Sequence, residues 1–203
     1  MHRKPDLQLY AHAGQGLVPP HLTNGTAMAQ RISGYVRQAN DDYPTPPWVV
    51  DAFVPHIRAL ALHIWEPAAG TGKMVDALGC AGFRVTATDI ATGADFLESR
   101  TLPSDAIQAI VTNPPYSDAQ PFIEHALALT KPIGGVVAML LRCDFDHAKG
   151  RRHLFADCGA FSKKLILTKR IAWFDRPGAA PSFNHSWYLW NWQHAGKPVI
   201  EYA

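Results

Sequence analysis

The 203-residue sequence predicts an α/β fold: a mostly parallel sheet with helices on both faces and an antiparallel hairpin at its C-terminal end. Three observations carry that expectation. From Tyr43 onward, short apolar runs rich in β-branched residues alternate with stretches of helical periodicity, the order that builds a parallel sheet wrapped by helices. A glycine turn, Gly70-Thr71-Gly72, falls between one such run and a helical stretch. Two consecutive prolines, Pro114 and Pro115, end the run 106–112 abruptly, because each fixes its own φ and brings no N–H to a ladder.

The elements follow in order. Residues 1–40 mix His, Gln, Gly, Pro and Asn without periodicity and read as a loosely ordered extension with a short helix near 27–36; residues 41–203 read as a single domain. Pro47 opens a helix through Phe53, placed where its missing N–H removes no bond, and Pro55 bends or ends it. A strand over 61–65 runs into Glu66-Pro67-Ala68-Ala69-Gly70-Thr71-Gly72. The helix after it carries Met74, Leu78 and Ala81 on one face and closes at Gly82. A second strand, 84–88, ends in Asp89, and the run 106–112 is a third. Asp118 is a better N-cap than Ser117 for the next helix, 118–129, because Pro121 then falls in the first turn. Residues 134–141 form a buried strand, 149–157 a helix, 164–172 a longer strand and 175–181 a turn-rich loop. The aromatic run 187–192 ends the fold as a strand, and its short connection to the preceding strand permits an antiparallel hairpin.

Hydrophobic content of 47% with 18% charged residues describes an ordinary globular chain, and a net charge of +2 is too small to announce a nucleic-acid partner. Residues 142–176 are locally basic, with nine Lys or Arg against four Asp, which suits a phosphate-facing patch or a solvated face equally. Three widely spaced cysteines without a C-x-x-C pair argue against a disulfide framework and structural zinc, and fit a reducing cytoplasm. Cys80 and Cys158 fall in predicted helices and are expected to be buried, inert thiols. The N-terminus has no apolar core of a signal peptide, and no run of about 18 apolar residues predicts a membrane span.

The chemistry concentrates at the ends of the predicted strands, where open α/β sheets bind ligands. Asn113-Pro114-Pro115-Tyr116 presents an amide, a backbone carbonyl and a ring on a stiff turn. The amide oxygen and carbonyl can accept both hydrogens of an exocyclic amine, and the ring can stack on a base. Gly70 and Gly72 let a ligand approach the backbone at a helix N-terminus, and Asp89 is placed to accept two ribose hydroxyls. Glu66 stands beside the turn, where it can face an amino group. The third glycine of a dinucleotide fingerprint and a G-K-[ST] segment are both missing, which disfavours nicotinamide and phosphoryl-transfer chemistry.

With those residues in view, the chain resembles the amino-methyltransferases that use S-adenosyl-L-methionine, within the class I Rossmann-like fold of seven strands. Asn113-Pro114-Pro115-Tyr116 is similar to their N-P-P-Y catalytic motif, and Glu66 to Gly72, with Ala68, to their first cofactor motif. Asp89, with Ile90 after it, matches their ribose-binding acid; Asp95-Phe96 resembles the pair that holds the cofactor's adenine. Tyr43-Pro44-Thr45-Pro46 resembles the T-P segment that touches the methionine carboxylate in DNA adenine methyltransferases. The resemblance spans residues 43–192 and is strongest to small phage or prophage DNA N6-adenine methyltransferases. It departs from the restriction-type enzymes in having no separate target-recognition domain, and from many relatives in having Glu rather than Asp at 66.

The resemblance implies a nucleic-acid substrate, DNA before RNA, with no metal, and a monomer or homodimer. It also implies that Tyr116 stacks on the flipped base while Phe183 closes the other side and Asn184 or His185 reaches the base edge. An edge-strand aromatic cluster of Trp173, Trp187, Tyr188 and Trp190 serving the core is the better reading of the tryptophans and explains Phe183 and His185 equally well. Arg151 and Arg152 are phosphate contacts or helix-surface charge, and the acids and His of 142–147 form a solvated loop rather than a metal site. RNA adenine, cytosine N4 and the glutamine amides of release factors are the alternative substrates, and a catalytically inactive nucleic-acid-binding module is the alternative class.

Overall fold

The structure, a computed structural model, describes residues 43–173 and 183–203. The extension expected over 1–40 and the loop expected over 175–181 lie outside the described residues. Within them, α1 (Pro47–Ile57), β1 (His63–Glu66), α2 (Lys73–Cys80), β2 (Arg84–Ala87), β3 (Ala109–Thr112), α3 (Ala119–Thr130), β4 (Val136–Arg142), β5 (Phe161–Ile166), β6 (His185–Asn191) and β7 (Val199–Tyr202) follow in chain order. The strands form one sheet of order β2-β1-β3-β4-β6-β5-β7. The first four pair in parallel; β6 lies antiparallel between β4 and β5, which is the expected hairpin.

Both faces of the sheet are covered, as its apolar strands require. Alternation along β6 divides its side chains between the two cores. Trp187 and Leu189 join Phe53, Ile57, Leu78 and Leu140 on the side of α1 and α2. Tyr188 and Trp190 join Ile123, Leu127 and Met139 on the side of α3. Both tryptophans are fully buried with their indole N–H groups satisfied, by the Val49 carbonyl for Trp187 and the Leu154 carbonyl for Trp190.

Five expectations need correction. Helix α1 runs through Pro55 to Ile57, because the carbonyl that loses its partner belongs to exposed Asp51 while Phe53 and Ile57 hold the last turn in the core. The helix expected over 149–157 is a 3₁₀ turn, Lys149–Leu154. It contains Gly150, and the Arg152 carbonyl accepts from both Phe155 and Asp157, which ends it. β5 starts at Phe161 and stops at Ile166; Ile171 and Trp173 are buried without belonging to a ladder, so their apolarity marks packing and not pairing. The aromatic strand does not end the fold, since β7 follows and pairs in parallel with β5 at the sheet edge. Cys80 is exposed at the end of α2, and Cys158 is half-buried outside any helix.

The register decides where the site lies. Arg142 at the end of β4 pairs with His185 at the start of β6. The carboxyl ends of β1, β2, β3, β4 and β5 and the amino end of β6 therefore gather on one side of the sheet.

Candidate active site

The segment after β1 is strapped to β2: Thr88 N–H donates to the Glu66 carbonyl at 3.0 Å and Ala69 N–H to the Thr88 carbonyl at 3.1 Å. Gly70 and Gly72 turn the chain with φ of 50° and 82°, values that disfavour any side chain. Among the described residues a Cβ added at Gly72 would meet nothing within 4 Å, at the N-terminus of α2. Asp89 closes the cradle from β2. Its Oδ2 accepts from Gly70 N–H and its Oδ1 from Ala91 N–H, each at 2.8 Å. Each oxygen keeps further acceptor capacity. Ile90, next in the chain, is 70% exposed, an apolar side chain set beside a polar cradle.

Asp95 accepts from Leu97 N–H at 2.8 Å through one oxygen. The Phe96 ring points into the core, edge-on to Trp65 at 5.1 Å, so the polar part of this pair is Asp95.

Glu66 is 1% exposed. Its Oε1 accepts from Ala68 N–H at 3.1 Å, while among the described residues Oε2 and the nearby Thr112 hydroxyl are buried without a hydrogen-bond partner. Burial pushes the carboxyl up to about 8, against the opposing pull of Thr112 and the Ala68 N–H, and the Asp89 charge adds to the rise. Glu66 is therefore held protonated at neutral pH, an uncommon state for a carboxyl at a strand end.

Asn113 follows β3 directly. Its Nδ2 donates to the Tyr43 carbonyl at 3.0 Å and to the Thr45 hydroxyl at 3.3 Å. A carbonyl can only accept, so the amide orientation is fixed, and Oδ1 is left buried with no partner among the described residues. Thr45 is itself buried, and Pro46 stands in extended conformation as the N-cap of α1. Pro114 is buried; the Pro115 carbonyl accepts from Asp118 N–H at 3.0 Å and tightens the turn into α3. Tyr116 lies against Tyr43, with ring centroids 5.8 Å apart, and its hydroxyl is 2.9 Å from His185 Nε2.

The structure thus brings Thr45, Glu66, Gly70, Gly72, Asp89, Asn113, Tyr116 and His185 to one end of the sheet. Other expected contacts are engaged elsewhere. Phe183 lies under the Arg142 guanidinium at 4.0 Å, and the Asn184 side chain accepts from Arg170 at 3.0 Å. Arg151 donates to the Phe145 carbonyl and covers the Phe145 ring at 3.8 Å, while Arg152 pairs with Asp157 at 2.9 Å. Asp144 is held by Arg142, and Asp146 by Lys164 and the Tyr188 hydroxyl. Among the described residues no cluster of three or more His, Cys, Asp or Glu could hold a metal ion, and no helix is long and apolar enough to cross a membrane.

Two residues of the site escaped sequence reasoning. Tyr43 acts through its backbone carbonyl, which no side-chain pattern reveals; its place two residues before Thr45 was the available signal. Thr112 read only as the last β-branched residue of a strand, although its position beside Asn113 marks it as pointing near the site.

No family model matches the chain, and no curated protein sequence matches it. Solved structures do. A Listeria monocytogenes protein described as a class I S-adenosylmethionine-dependent methyltransferase is 15% identical, with a TM-score of 0.54 over 84% of this chain and 68% of the other. A Pyrococcus horikoshii protein described as an RNA methyltransferase is 14% identical, with a TM-score of 0.51 over 75% of this chain and 82% of the other. The type IIG restriction endonuclease BpuSI is 14% identical, with a TM-score of 0.50; the match covers 75% of this chain and 25% of that enzyme. At these identities the likeness defines the fold, which is the Rossmann-like class I methyltransferase fold.

Proposed function

We propose that this chain transfers the methyl group of S-adenosyl-L-methionine to the exocyclic amine of a nucleic-acid base, N6 of adenine in DNA. The observation that carries the reading is the orientation of Asn113. Its NH₂ is committed to Tyr43 and Thr45, so its oxygen, without a partner among the described residues, is the group available to accept an amine hydrogen.

The residues upstream fit the cofactor this chemistry needs. Asp89 has acceptor capacity for two ribose hydroxyls, and exposed Ile90 offers an apolar surface to an adenine ring, with Asp95 near its edge. The glycine turn and Thr45 suit the amino-acid end, and Glu66 suits its ammonium group. When bound, the cofactor supplies an electrophilic methyl group on a sulfonium.

The chain's own residues supply geometry. An exocyclic ring amine is a poor nucleophile because its lone pair is delocalised into the ring. Asn113 Oδ1 and the Pro114 carbonyl, by accepting its two hydrogens, favour the tetrahedral nitrogen whose lone pair is free to react. Tyr116 stacks on the base, which leaves the helix to reach the pocket. The nitrogen can lose its proton after methylation, so no strong base is required, and positioning dominates. Lys169, 4.9 Å over the Trp48 ring, and Arg170 supply positive charge beyond the end of β5 for a phosphate backbone.

Incubation with methyl-labelled cofactor and separate pools of duplex DNA, single-stranded DNA, RNA and protein, followed by nucleoside analysis, tests the reading. N6-methyladenine in DNA is the expected product. Label in RNA adenine or in cytosine N4 would keep the centre and change its substrate; label only in protein, or none, would overturn the proposal.

A further inference from the structure

Tyr116 projects from a turn with Tyr43 stacked against its ring, centroids 5.8 Å apart. The contact to its hydroxyl comes from β6. His185 is 1% exposed, anchored by its pairing with Arg142, and met edge-on by Trp173 at 5.2 Å. Its Nε2 lies 2.9 Å from the Tyr116 hydroxyl. The two rings are inclined by only 26° with centroids 6.0 Å apart, so with their polar atoms in contact they lie side by side rather than face to face.

Packing alone does not ask for an imidazole here. Among the described residues His185 Nδ1 is buried without a hydrogen-bond partner, and the Phe183 backbone beside the imidazole only partly offsets its burial. A phenyl group would fill the same space without burying an unsatisfied nitrogen. Burial lowers the imidazole to about 4, so it is neutral at ordinary pH and Nε2 can accept the phenol proton. What the imidazole gains for that burial, among the described residues, is the bond between Nε2 and the Tyr116 hydroxyl.

We infer that His185 is a positioning residue for substrate: through its bond to the Tyr116 hydroxyl it fixes the ring as a platform on which a flat heterocycle stacks while its amine reaches Asn113. His185 does not touch the base; it acts through the tyrosine. The inference rests on the reading of Asn113 to Tyr116 as an amine-methylating centre, and its test separates the two.

The first readout needs no transfer. Single-stranded DNA carrying 2-aminopurine loses fluorescence when the base stacks on an aromatic ring. Wild type should quench it; His185→Phe and Tyr116→Phe, which keep the packing and delete the bond, should lose most of the quench to the same extent. The double variant should lose no more than either alone, and His185→Gln, which can restore an acceptor near Nε2, should recover part of it. In methyl transfer, His185→Phe should raise KM for the nucleic acid about tenfold, the effect of about 1.4 kcal/mol, with cofactor affinity unchanged. Should wild type transfer no methyl while the two single variants lose the same quench, the functional reading falls and the positioning role stands. An unchanged quench in His185→Phe, or losses that add in the double variant, overturns the positioning role whatever the activity.

Discussion

Glu66→Gln gives the most direct test of the electrostatics at the site, because it needs neither cofactor nor substrate. The substitution keeps the shape and the acceptor for Ala68 N–H, and it removes only the ability to ionise. A carboxyl raised from 4.5 to about 8 binds its proton more tightly in the folded chain than in the unfolded one. The stability it contributes is fully present below pH 4.5 and is lost as pH rises towards 8. The loss runs at about 1.4 kcal/mol per pH unit. Relative to the glutamine variant, wild type should be about equal near pH 4.5, weaker by about 3 kcal/mol at pH 7, and weaker by about 5 kcal/mol above pH 8. Urea unfolding of both proteins at five pH values between 5 and 9 measures this difference directly. Stability curves that stay parallel across the range would refute the buried, protonated state of Glu66.

The same carboxyl should couple cofactor to protons. If an ammonium group binds beside it, S-adenosyl-L-methionine binding should release close to one proton at pH 7, seen calorimetrically in buffers of different ionisation enthalpy, and Glu66→Gln should abolish the release. Asn113→Ala should eliminate methyl transfer yet leave cofactor affinity within about twofold, since it removes an acceptor for the amine and not the cradle. The rise in melting temperature produced by cofactor should disappear in Asp89→Ala, measured by thermal scanning. Gly72→Ala should destabilise the chain by about 1–2 kcal/mol, because its φ of 82° suits only glycine; urea titration reads it. Lys164→Met should cost about 3–5 kcal/mol by leaving the Asp146 carboxylate without its buried ammonium partner, again by urea unfolding.

Much of this fold is legible because parallel strands bury both faces and so announce themselves as apolar runs. The chain between Trp65 and Asp89 reads correctly from the spacing of Gly70, Gly72, Leu78 and Gly82, since turns and caps impose local rules. Reading fails where tertiary packing overrules local pattern. Ile171 and Trp173 look like strand residues and serve only as core. Val199 to Tyr202 is too short to stand out, and it becomes a strand because the edge of β5 offers it a ladder. Within the site, the strand-end residues Glu66, Asp89 and Asn113 were visible as types of side chain. Their states were not: the protonation of Glu66 comes from burial, and the facing of the Asn113 amide comes from a backbone carbonyl 70 positions away.

That carbonyl has a consequence for where the domain can be cut. Every helix and strand of the described chain begins at or after Pro47, so a version shortened to that residue would keep the complete sheet and both layers. It would lack Tyr43 and Thr45, and the Asn113 amide would be free to rotate its nitrogen towards the incoming amine, donor against donor. Such a protein should lose stability with the packing of Tyr43 on Tyr116 and Trp173, and fail as a catalyst even where it folds.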